Sequence, residues 1–207
     1  MRKFLLIFIM LFLQSLWSYH VMIVTNTWSG PYLSDLTTLM QGAGHTVSTM
    51  PDSGMPSGYA TPDVYYFGHE ITSLGYTVDF QQTGKGLIIA SSNLFEAFFM
   101  VEYGNCASLN VMSVGLENTS HPVMNGLNVT DAETELNSTQ VQVAKPTNDA
   151  LTLVYVNSDP ANAAAAFIYE AGSVLADGTH ALGRRAGFYY SGGTMGIFTE
   201  TLLNNMI

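Results

Sequence analysis

The sequence predicts an α/β domain organised around a parallel sheet. Two observations carry this expectation: β-branched runs that alternate with a stretch of helical spacing, and a continuously apolar run, residues 86–90 (GLIIA). Such alternation is the pattern of βαβ units, and a strand covered on both faces by helices loses the polar positions of a half-exposed one.

The chain opens on Arg2 and Lys3, continues with an apolar run over residues 4–13, and reaches the small residues Ser15 and Ser18. That order is the order of a secretory signal peptide, and the apolar run is well short of the roughly 20 residues of a membrane span. Residues 1–19 are therefore expected to be removed, leaving a secreted or periplasmic chain that starts near Tyr19 or His20. No later segment is apolar enough to span a membrane. Residues 20–207 are expected to form a single domain.

Residues 20–25 (HVMIVT) read as a buried first strand. A loop reaches Pro31, which can open a helix at its first turn, and Leu33, Leu36, Leu39 and Met40 then recur at helical spacing. Gly42 and Gly44 end that helix. Residues 45–50 read as a second strand, 51–62 as a Pro/Gly/Ser loop, 63–67 as a third strand and 86–90 as a fourth. Residues 92–104 (SNLFEAFFMVEYG) suit a helix capped at Ser92 or Asn93, with a strand from residue 98 as the alternative. Further strands are expected at 111–114, 141–143, 151–156 and 186–190. Residues 163–169 suit a strand or a helical turn, and 198–207 a terminal helix.

Hydrophobic residues make up 47% of the chain and charged ones 11%, which suits a compact core under a lightly charged surface. The formal net charge is -10, and two of the six basic residues lie in the expected leader. So acidic a surface repels phosphate backbones, which argues against a nucleic-acid partner. Cys106 is the lone cysteine, so no disulfide forms within the chain. Asn118, Asn128 and Asn137 each begin an N-x-S/T sequon, and their crowding into one polar stretch places that stretch at the surface if they are glycosylated.

Few constellations carry chemistry. Residues 104–108 (GNCAS) resemble a nucleophile elbow, in which a strained strand-to-helix turn with small neighbours presents a thiol. Such a cysteine needs a histidine base, and His180 lies downstream; a buried structural cysteine is the alternative. His69 and Glu70 follow the third strand, where α/β folds place ligand-binding loops. The five histidines lack metal-site spacing, so no metal is expected, and nothing implies a cofactor. Glu96 and Glu102 are six apart and would not share a helix face. Arg184 and Arg185 are a basic pair in an acidic chain, suited to an internal carboxylate or an anionic ligand.

Three motifs bring a resemblance. His121-Pro122-Val123-Met124-Asn125-Gly126-Leu127 resembles the HP-x-x-x-GL signature of ThuA-like members of the class I glutamine amidotransferase-like superfamily. Tyr169-Glu170-Ala171-Gly172 is similar to their YE-x-G turn, and residues 183–189 (GRRAGFY) to their closing strand. The whole string over residues 167–189 (FIYEAGSVLADGTHALGRRAGFY) looks like uncharacterised domains of this group in secreted bacterial proteins. The resemblance implies a flavodoxin-like three-layer sandwich with a mostly parallel central sheet, and structural roles for His121, Gly126 and Glu170. It implies no single activity. Class I amidotransferases place an acid two residues after the catalytic histidine, and Leu182 stands there, so the triad is incomplete. The expectation is a secreted, non-catalytic binding or accessory domain whose partner is a carbohydrate or an extracellular protein. The alternative is a hydrolase-type enzyme, either carbohydrate-related or dependent on Cys106. Glu170 is expected to pair inside the fold with Arg184 or Arg185, since a buried carboxylate needs a partner.

Overall fold

The computed structural model describes residues 18–26, 31–189 and 195–207. Nearly all of the expected leader, and the end of the expected 186–190 strand, lie outside the described residues. In chain order the elements are β1 (His20–Thr25), α1 (Pro31–Gly42), β2 (Thr46–Pro51), β3 (Val64–Phe67), α2 (Thr77–Gln82) and β4 (Gly86–Ile89). There follow α3 (Ser92–Ala97), β5 (Val101–Asn110), β6 (Val114–Leu116), α4 (Val129–Leu136) and β7 (Gln140–Pro146). β8 (Leu151–Val156), β9 (Ala164–Tyr169), β10 (Arg185–Phe188) and α5 (Ile197–Met206) complete the chain.

The central run of the sheet, β2-β1-β3-β4-β10, is parallel throughout. β9 then pairs antiparallel with β10 and receives both β7 and β8, which carry β5 and β6 in turn. Side chains alternate between two cores, as a pleated strand requires. Val21, Ile23, Val64, Tyr66 and Ile88 face one core with α1, α4 and α5. Met22, Val24, Tyr65, Phe67, Leu87 and Ile89 face the other with α2 and α3. The result is a three-layer α/β sandwich, and its doubly covered strands explain the unbroken apolar runs of β3 and β4.

Residues 92–104 divide between the two readings. Helix α3 stops after six residues because Phe98 and Phe99 leave helical geometry, Phe99 at φ 56°, and β5 starts two residues later. The helix expected across the whole segment is corrected to its first half. Helices α2 and α4 were not expected from the sequence: α2 has six residues and buries only Phe80, and α4 has eight, capped by Asn128, and buries only Ala132 and Leu136. Elements of one to two turns fall short of the roughly 11–18-residue window in which a 3.6-residue period stands out. The expected strand at 111–114 forms instead at Val114–Leu116, against β8.

Candidate functional site

β1, β3 and β4 run parallel, so their C-terminal ends open on one end of the sheet, where α/β folds hold ligands. Thr25 ends β1, fully buried, and its hydroxyl donates to Glu70 Oε1. Asn26 Nδ2 donates to the Glu70 carbonyl at 3.0 Å. His69 Nδ1 faces Glu70 Oε2 at 3.3 Å, and the Tyr32 ring meets the His69 ring edge-on at 4.8 Å between centroids. The carboxylate folds back over the backbone that follows β3, and a Cβ at Gly68 would collide with it. Glu70 is thus a pre-positioned acid, 15% exposed at its side chain, held by groups from two strand ends. His69 and Glu70 stand where the sequence reading put them, while Thr25 and Asn26 were missed. Their signal was position alone, a hydroxyl on the last residue of an apolar strand and an amide immediately after it.

The strand-to-helix turn at this end is not at residues 104–108. It runs from β4 through Ala90 and Ser91 into α3, the apolar strand, small residues and helix of the string LIIASSN. Ser91 occupies the turn but is not presented as a nucleophile. It is 2% exposed, its backbone is extended (φ -103°, ψ 119°), and its hydroxyl donates to Ile71 O at 2.5 Å.

Cys106 lies inside β5, opposite Ala144 of β7, so the expected elbow is corrected to a paired strand. Gly104 does take a left-handed φ of 79°, but it serves a bulge between Val101 and Cys106, with its N–H donated to Glu96 Oε1 at 2.7 Å. The Cys106 thiol donates to Ser92 O at 3.6 Å. Burial, with the Glu96 carboxylate second, pushes its pKa up to about 12. His180 does not reach it: its ring bonds Gly172 O at 2.7 Å within a turn closed by Val174 and His180. Among the described residues no group of three or more His, Cys, Asp or Glu side chains could hold a metal ion. His20 instead bonds Ser48, and His45 accepts from Tyr19 N.

The three motif segments converge at the opposite end of the sheet. β10 starts beside the start of β4 and the end of β9, which brings Arg184 to Glu170. Arg184 Nε donates to Glu170 Oε2 at 3.1 Å and Arg184 Nη2 lies 3.0 Å from Oε1, a bidentate pair. His121 Nε2 lies 3.0 Å from the same Oε1. His121 also caps the 3-10 turn Pro122–Met124 through Nδ1, and Gly126, at φ 77°, turns the chain out of it. The Glu170 and Arg184 side chains are 39% and 37% exposed, so this cluster sits at the surface rather than in the core. Arg185 behaves differently. It is 3% exposed and its Nη1 donates to Phe98 O, so the reading of Arg185 as an open anion site is corrected to a cation holding the α3–β5 turn. Asn118, Asn128 and Asn137 are all exposed; Asn128 caps α4 and Asn118 Nδ2 donates to Thr152 O.

No family model matches the chain, and no curated protein matches it. Among solved structures it is similar to a Thermoplasma acidophilum protein assigned as a GMP synthase subunit, with 8% identity and a TM-score of 0.53 over 90% of this chain and 92% of that one. It is also similar to PurLQS from Thermotoga maritima, with 10% identity and a TM-score of 0.50 over 91% and 97% of the two chains. At such identities the likeness is one of fold, and on it the chain has a glutamine amidotransferase-like fold of the flavodoxin type.

Proposed function

We propose that the chain is a secreted, non-catalytic glutamine amidotransferase-like domain that acts as a binding or accessory module. The observation that carries this reading is the state of its two candidate nucleophiles. Ser91, at the strand-to-helix turn, spends its hydroxyl proton on Ile71 O, and Cys106 is a strand residue whose thiol is held protonated. Acyl transfer needs a nucleophile beside a base, and neither residue has a histidine as its hydrogen-bond partner among the described residues. A ThuA-like placement within the group rests on the order of the motifs around His121, Glu170 and Arg184. Secretion rests on the charged, apolar, small-residue order of residues 1–19.

The test is ammonia release from glutamine by the mature chain, beside a Cys106→Ser variant. The expected rate equals the buffer blank for both. A rate above blank that vanishes with Cys106→Ser overturns the reading.

One feature favours the second reading, a hydrolase. The Glu70 carboxylate is fixed beside His69 at the strand ends, the arrangement of an acid that moves protons. Turnover of any glycoside or ester by the mature chain, abolished by Glu70→Gln with the fold retained, would establish it.

A further inference from the structure

A groove of about 440 Å³ lies between the start of α3 and strands β5 and β7. This falls within the range of small-molecule sites, about 300–1,000 Å³. Six of its lining side chains can hydrogen-bond: Thr72, Ser92, Asn93, Glu96, Ser108 and Gln142. Glu96 Oε1 accepts from Gly104 N at 2.7 Å, which leaves its second carboxylate oxygen without a hydrogen bond to that loop. The side chains of the other five make no hydrogen bond to any described residue. The hydrogen-bonding capacity of this groove therefore points outward.

We infer that the groove binds a neutral sugar residue. A sugar hydroxyl both donates and accepts, and so does each of the three lining hydroxyls, while the two amides offer a donor and an acceptor side by side. A carboxylate completes the set by accepting from a pair of neighbouring hydroxyls. The lining holds no Lys or Arg, and Glu96 together with the chain's net charge of -10 turns away phosphates and carboxylates. A peptide strand would need apolar pockets for its alternate side chains, and Cys106 and Ala107 are the only lining residues without a strong hydrogen-bonding group. The inference rests on the proposal that this is a binding domain, and it chooses carbohydrate over protein as the partner.

Saturation-transfer NMR on the mature chain tests it, with glucose, galactose, mannose, N-acetylglucosamine and their disaccharides as separate probes and a hexose phosphate as the anionic comparator. At least one neutral sugar should give a saturable signal and the phosphate none. Asn93→Ala and Gln142→Ala should each weaken that Kd about tenfold, the size of one lost hydrogen bond, at unchanged Tm. If either variant unfolds, Ser108→Ala carries the comparison. Silence from every neutral sugar, equal binding of the phosphate, or a wild-type Kd in the variants overturns the inference. Silence would leave the non-catalytic reading standing, whereas ammonia release from glutamine would sink that reading and leave a sugar signal intact.

Discussion

Cys106 offers the sharpest perturbation. Its thiol lies half-buried in β5, beside the Glu96 carboxylate, and these two influences push its pKa to about 12. A free cysteine sits near 8.5, so at neutral pH the thiolate fraction of Cys106 is lower by a factor of roughly a thousand or more. Only the thiolate attacks an electrophile, so labelling by iodoacetamide should slow in proportion. The assay is the pseudo-first-order rate at pH 7, measured on native chain, on chain unfolded in guanidinium, and on glutathione. The native rate should fall at least a hundredfold below both references. Glu96→Gln removes the second influence and leaves burial, so it should speed labelling modestly and not restore the reference rate. Native labelling at the rate of glutathione would refute the placement of the thiol, and with it the argument that this chain lacks an activated cysteine.

Three further outcomes follow from particular contacts. Glu135 on α4 accepts the backbone N–H groups of Gly196, Phe198 and Thr199 at 3.0–3.2 Å and so caps α5 from another element. Glu135→Ala should cost about 1–3 kcal/mol in urea unfolding. Glu170→Gln breaks a bidentate pair that is more than a third exposed, and should cost no more than about 1 kcal/mol; a loss above 3 kcal/mol would mean the cluster is buried. His45 has its pKa lowered by burial, which disfavours the charged ring in the folded chain. The unfolded chain therefore binds more protons, so stability is complete above the ordinary histidine pKa and declines as pH falls through it toward the lowered value. His45→Gln should flatten that decline in Tm between pH 7 and pH 5.

Much of the first half was legible because β1, β3 and β4 are short buried apolar runs and α1 shows its face through Leu33, Leu36 and Met40. The second half was legible as strands but not as topology. A hairpin return and a crossover leave similar strings, so nothing marked β7, β8 and β9 as antiparallel to their neighbours. The meeting of Glu170 with Arg184 could be foreseen, because a turn-rich connection folds one back on the other. The partner was ambiguous, since alternation along β10 decides which arginine points outward, and Arg185, not Arg184, lies inside. At the site, His69 and Glu70 were readable from their place after an apolar strand. Ser91 and the groove were not, because the small residues around Cys106 have the spacing of an elbow while belonging to a strand bulge. Small residues serve a bulge and an elbow alike, and only the strand pairing of Cys106 with Ala144 separates the two.

The claim at the centre is a glutamine amidotransferase-like fold without an activated nucleophile. The most direct measurement is intact-mass analysis of the mature chain after incubation with a diazo-ketone analogue of glutamine, which alkylates an amidotransferase nucleophile on binding. An unmodified mass is expected after prolonged exposure at neutral pH. A single stoichiometric adduct, mapped to Cys106 or Ser91 and prevented by excess glutamine, would contradict it.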